Sequence, residues 1–92
     1  MTIWKFPLRI DDEVLITMPV GAVPLCVQMQ YQVPCLWAVV DETANVEMHR
    51  FYIRGTGHRL GNVAIDKYIG TFQALDGNLV FHVFDGGSLG DS

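Results

Sequence analysis

The segment Arg54-Gly55-Thr56-Gly57-His58-Arg59 holds the densest set of groups able to do chemistry. Its two glycines let backbone N–H groups converge on an anion. The two arginines offer forked donors, and Thr56 and His58 add a hydroxyl and an imidazole. The combination suits a phosphate or another anion. It is not a P-loop, because no Lys-Ser/Thr pair follows, and no β-α-β pattern surrounds it as a dinucleotide fingerprint requires. The same residues suit a strand-to-loop corner whose glycines supply positive φ, or a contact with a protein. Arg50, nearby on the preceding strand, joins Arg54 and Arg59, so the region gathers three of the six basic residues. Arg54, Gly55, Thr56, Gly57, His58 and Arg59 are therefore the candidate binding residues.

Other chemistry finds less support. Metal ligation has His49, His58, His82, Cys26, Cys35 and the carboxylates to draw on. None of them forms a C-x-x-C, H-x-x-x-H or carboxylate-rich loop, although strand spacing could bring His49 and His82 together. Nucleophilic catalysis needs an activated hydroxyl or thiol beside an oriented base. Gly87-Ser88-Leu89-Gly90 lacks the strand–turn–helix context of a nucleophile elbow. Asp41, Glu42 and Glu47 read as a solvated turn and its edge. The expectation is a non-enzyme with no metal site and no cofactor.

The elements that must position these groups are strands. Trp4, Phe6 and Leu8 alternate on one face of the first, and Pro7 demotes it to an edge or a strand end. Cys35 to Val40 is apolar throughout, as in a central strand covered on both faces. Glu47, His49, Phe51 and Ile53 share one side of a later strand, with Met48, Arg50, Tyr52 and Arg54 on the other. Asp76-Gly77-Asn78 turns a final hairpin. A first hairpin pairs 24–30 with 35–41; if Tyr31-Gln32 is its two-residue turn, Cys26 opposes Trp37 and Gln28 opposes Cys35. Tyr and Gln suit such a turn poorly, because it wants positive φ, so a longer loop is the alternative. The full set falls near 3–8, 13–18, 24–30, 35–41, 46–54, 67–75 and 79–84, with at most one helical turn in 60–66. We therefore expect an all-β domain of about seven short antiparallel strands, a β-sandwich or a small open barrel. It should occupy residues 1–85, with 86–92 as a flexible tail.

Composition narrows the partners. Apolar residues make up 50% of the chain and charged residues 17%, against a usual ~25% charged. So few charges over so much apolar matter implies that some apolar surface meets another chain, and a homodimer is the commonest form. The net charge is −4 and the six basic residues are spread along the chain with no Lys/Arg run, which argues against duplex nucleic acid and anionic membrane. The longest apolar run, Val33 to Val40, is far short of the ~20 residues a spanning helix needs. Met1-Thr2-Ile3-Trp4 does not open a signal peptide, so the chain should stay in the cytosol, where Cys26 and Cys35 remain free thiols.

Several segments in order carry a family resemblance. They are Ile3-Trp4-Lys5-Phe6-Pro7-Leu8, Val33-Pro34-Cys35-Leu36-Trp37-Ala38-Val39-Val40-Asp41, Gly55-Thr56-Gly57-His58, Tyr68-Ile69-Gly70-Thr71-Phe72-Gln73 and Leu79-Val80-Phe81-His82-Val83-Phe84. Together they resemble an uncharacterised family of small tailed-phage proteins known only as a domain of unknown function. The resemblance implies a viral accessory protein in the host bacterial cytoplasm and brings no catalytic residues. Three roles fit such a protein. It would block a host protein or defence complex by binding it, sequester a small signalling nucleotide as an oligomer, or serve as a minor virion or assembly component. The first suits this composition best.

Overall fold

Strand formation follows the period-2 alternation along the chain. The computed structural model describes residues 1–89. It contains β1 (Thr2–Pro7), β2 (Glu13–Pro19), β3 (Val23–Gln30), β4 (Val33–Val40), β5 (Val46–Gly55), β6 (Tyr68–Ala74) and β7 (Leu79–Ser88). A single 3₁₀ turn, Ile65–Lys67, ends the long irregular stretch before β6. All pairings are antiparallel. They build a three-stranded sheet in the order β1-β4-β3 and a four-stranded sheet in the order β2-β5-β7-β6. The sheets pack face to face as an open sandwich.

The inner faces follow the alternation. Leu36, Ala38 and Val40 of β4 meet Phe51 and Ile53 of β5, Val83 of β7 and Phe72 of β6 in one core. Val14 and Met18 of β2, Val27 of β3 and Leu8 just past β1 complete it. Pro7 and Pro19 lie at the ends of β1 and β2, both edge strands, where a missing N–H removes no ladder bond. At the opposite side β3 and β6 close one corner. A Cβ on Gly70 would stand 2.8 Å from Val27 Cγ1 and 3.3 Å from Val27 N, so only glycine lets the strands approach there.

Two expectations need correction. The Gly86-Gly87 pair, assigned to the tail, belongs to β7. Arg50 pairs with Gly87 and Phe51 with Asp85, so Gly86 is the extra residue of a β-bulge. A Cβ there would come within 2.8 Å of Tyr52 and 2.9 Å of Arg50, so glycine serves the strand rather than a loose end. Ser88 ends β7 and Leu89 N–H donates to Met48 O at 2.9 Å, so the expected tail is ordered through Leu89; residues 90–92 lie outside the described residues. The second correction concerns β4, which is central but has no second layer on its outer face. Cys35 is buried there by its neighbours, Trp37 and Val39 are half-buried, and no third layer of strands or helix overlies them among the described residues. Alternation cannot distinguish a covered strand face from one left open to a partner.

The first hairpin turns at Tyr31-Gln32, and Cys26 faces Trp37 while Gln28 faces Cys35. Both turn residues adopt positive φ, 51° and 66°, without a glycine. The final hairpin spans Leu75 to Asn78, with Leu75 drawn out of the strand into a positive φ of 52°. Both cysteines are free thiols. No helix of the described residues is long and apolar enough to cross a membrane.

Candidate functional site

The 54–59 segment begins at the end of β5, where Thr56 N–H still donates to Val80 O of β7 at 3.1 Å. Arg54 does not face solvent as a free cation. Its Nε donates to Leu60 O at 2.9 Å, and one terminal nitrogen donates to Asp12 O at 2.7 Å and Ile53 O at 3.1 Å. The guanidinium also lies 5.3 Å from the Tyr52 ring centroid. Three carbonyls thus bind it to its own strand, to the middle of the irregular stretch and to the β1–β2 connection. His58 folds back, donating its N–H to Gly55 O at 3.0 Å with its ring against Gly55. Gly57, at φ 89°, makes the turn, and Arg59 is exposed. Arg50, counted with this cluster, has Nε 2.7 Å from Glu13 Oε2 across β2 and β5; its N–H is not aimed for a hydrogen bond, so the contact is one of charge.

Thr56 enters a polar chain that the sequence spacing hid. Its Oγ1 lies 2.7 Å from His82 Nε2, the other His82 nitrogen lies 2.9 Å from Thr71 Oγ1, and Thr71 meets Tyr68 OH. Hydroxyls therefore occupy both ring nitrogens and stitch the end of β5 to β7 and β6. A hydroxyl beside an imidazole is the pairing used in nucleophilic catalysis, but a second hydroxyl, not a carboxylate, orients this imidazole. The chain is exposed on the outer face of the four-stranded sheet and acts as a cross-strand tie. The available signal was register: the Asp76-Gly77 turn places Thr71 opposite His82.

His49 and His82 are not brought together. His82 pairs with Arg54 and Thr71 on the outer face, whereas His49 pairs with Ser88 and points inward. His49 is buried at 7% exposure, stacks on Phe51 at 4.7 Å and 15°, and has Nε2 2.7 Å from Asp85 Oδ1. The same carboxylate oxygen accepts Gly87 N–H at 2.7 Å. Asp85 thus satisfies the buried imidazole and holds the bulge. Among the described residues, no group of three or more His, Cys, Asp or Glu is placed to hold a metal ion.

The outer face of β1-β4-β3 is built differently. In register across the three strands stand Ile3, Val39 and Val23, then Lys5, Trp37 and Cys26. Ile3 is 56% and Val23 53% exposed. Lys5 Nζ reaches over β4 to Gln30 Oε1 at 2.7 Å, so the one cation of this row lies across the Val33–Cys35 end of the face and leaves the Ile3-Val39-Val23 end apolar. Next to it, Trp4 faces inward on edge strand β1 yet remains 41% exposed, because the opposite sheet does not extend over it.

The molecule is thus a two-layer antiparallel β-sandwich whose polar clusters tie strands together and whose smaller sheet leaves an apolar face open. Residues 1–90 match the model of a domain of unknown function, DUF7352, and the chain belongs to that family. No curated protein and no solved structure matches it.

Proposed function

We propose that this protein works by non-catalytic binding of a partner protein, through the outer face of the β1-β4-β3 sheet. The observation that carries the reading is the uncovered row Ile3-Val39-Val23 beside Trp37. A central strand with apolar side chains on its solvent face loses hydrophobic stabilisation until something covers it. Trp37 supplies an aromatic anchor of the kind that dominates interface energetics. In the tailed-phage setting implied by the sequence resemblance, the partner is a host protein in the bacterial cytoplasm, blocked by occupancy. In the free protein a second copy is the readiest cover for the same face. Sequestration of a signalling nucleotide by residues 54–59 draws less support, because Arg54 donates to carbonyls of its own chain.

The test replaces Ile3 and Val23 together by Glu. Both are more than half exposed, so the core is left alone, while two carboxylates flank Val39. Melting should stay close to wild type, since exposed substitutions usually change stability by within ~0.5 kcal/mol. Partner recovery from host lysate, and affinity for the purified partner by calorimetry, should fall at least tenfold. Unchanged affinity with an intact fold refutes this face as the binding surface.

A further inference from the structure

At one end of the sandwich the layers part into a half-open cleft of about 790 Å³. Ile10, Met29, Pro34 and Leu79 give it apolar walls, and Gln32, Gln73 and Asp76 are its polar members. Its lips are the two hairpin tips. Both tips hold non-glycine residues in the left-handed region: Tyr31 at 51° and Gln32 at 66° on one, Leu75 at 52° and Asp76 at 56° on the other. Positive φ at successive residues is how a tight hairpin turn follows the twist of its strands. The tips also hold apolar groups out in solvent, with Tyr31 90% and Leu75 68% exposed.

Chemistry selects the occupant. The cleft falls within the roughly 300–1,000 Å³ of small-ligand sites and has room for several side chains. Its lining holds a carboxylate and no Lys, Arg or His, so a cationic guest fits its charge better than an anion. Asp76 forms no ion pair among the described residues. A second copy of this acidic chain would bring another acidic lip.

We propose that the cleft binds an extended peptide segment in which apolar residues neighbour a Lys or Arg. The apolar side chains fill the floor between Met29, Pro34 and Leu79. The Gln32 and Gln73 amides meet peptide backbone, and Asp76 meets the cation. This site is separate from the outer face of β1-β4-β3, because Met29 and Pro34 point to the inner side of their sheet.

The test is an NMR titration of the ¹⁵N-labelled protein with a blocked pentapeptide of two leucines and one lysine between glycines, and with its twin carrying glutamate for lysine. Amides of residues 29–34 and 73–79 should shift saturably with the lysine peptide. The glutamate peptide should bind about two- to fivefold more weakly, the range an exposed ion pair supports. Asp76→Asn should abolish that difference without unfolding, since Asn tolerates positive φ. Absence of saturable shifts up to millimolar peptide, equal binding of the two peptides, or shifts confined to β1 and the outer residues of β4 would each overturn the proposal. The last of these would still leave the sheet-face reading standing.

Discussion

Replacing Arg54 by Gln separates a structural arginine from a ligand-binding one. Two of its bonds reach across the chain, to Leu60 O at 2.9 Å and Asp12 O at 2.7 Å. Gln cannot reach both. Asp12 O keeps the Ile53 N–H donor at 3.1 Å, so its loss is partial, while Leu60 O loses the donor that holds the irregular stretch down. Both bonds are exposed to solvent, so each contributes about 0.5–1.5 kcal/mol net, and the loss runs from one bond to the pair, about 0.5–3 kcal/mol. For a domain of this length, one kcal/mol moves the melting temperature by about 4–8 °C. Scanning calorimetry should therefore show Arg54→Gln melting about 2–24 °C below wild type. Arg59→Gln, at an exposed site, should stay within ~0.5 kcal/mol. If Arg54→Gln melts like the parent, its guanidinium does not hold the fold, and the case for 54–59 as an anion site is restored.

Leu36→Ala should cost about 2–5 kcal/mol, because Leu36 is fully buried where the two sheets meet; an unchanged urea midpoint would contradict that placement. The Thr43 hydroxyl, then the Thr43 N–H, donate to the Asp41 carboxylate and hold its pKa below the ordinary value. A depressed carboxyl stabilises the fold above its unfolded pKa and loses that contribution as pH falls through the folded pKa. Thr43→Ala should raise the Asp41 pKa in a carboxyl NMR titration, and its stability deficit should shrink as acid protonates Asp41. Light scattering at micromolar concentration should find a dimer that the Ile3→Glu, Val23→Glu variant reduces to the 10.3 kDa monomer. A parent that is monomeric throughout would leave the open face to a foreign partner.

The strands were legible in the sequence because side-chain direction along a strand depends only on parity. His49, Phe51 and Ile53 point inward together for that reason, and Leu36, Ala38 and Val40 likewise. The register of the first hairpin was also open to reasoning, since a two-residue turn dictates which residues oppose. That Tyr31 and Gln32 accept positive φ was not, because strain is tolerated only when the surrounding sheets enforce it. Parity likewise places Trp37 and Val39 on one face of β4, but whether another layer covers that face depends on how the two sheets stack. Residues 54–59 looked alike as ligand site and as corner; tertiary structure alone decided where Arg54 sends its donors, because Asp12 lies 42 positions away in the chain. The pairing of His49 with Asp85, and of Thr56 with His82, has the same origin. Each joins residues that meet only once β5 and β7 are in register, a long-range pairing that no local pattern in the chain encodes.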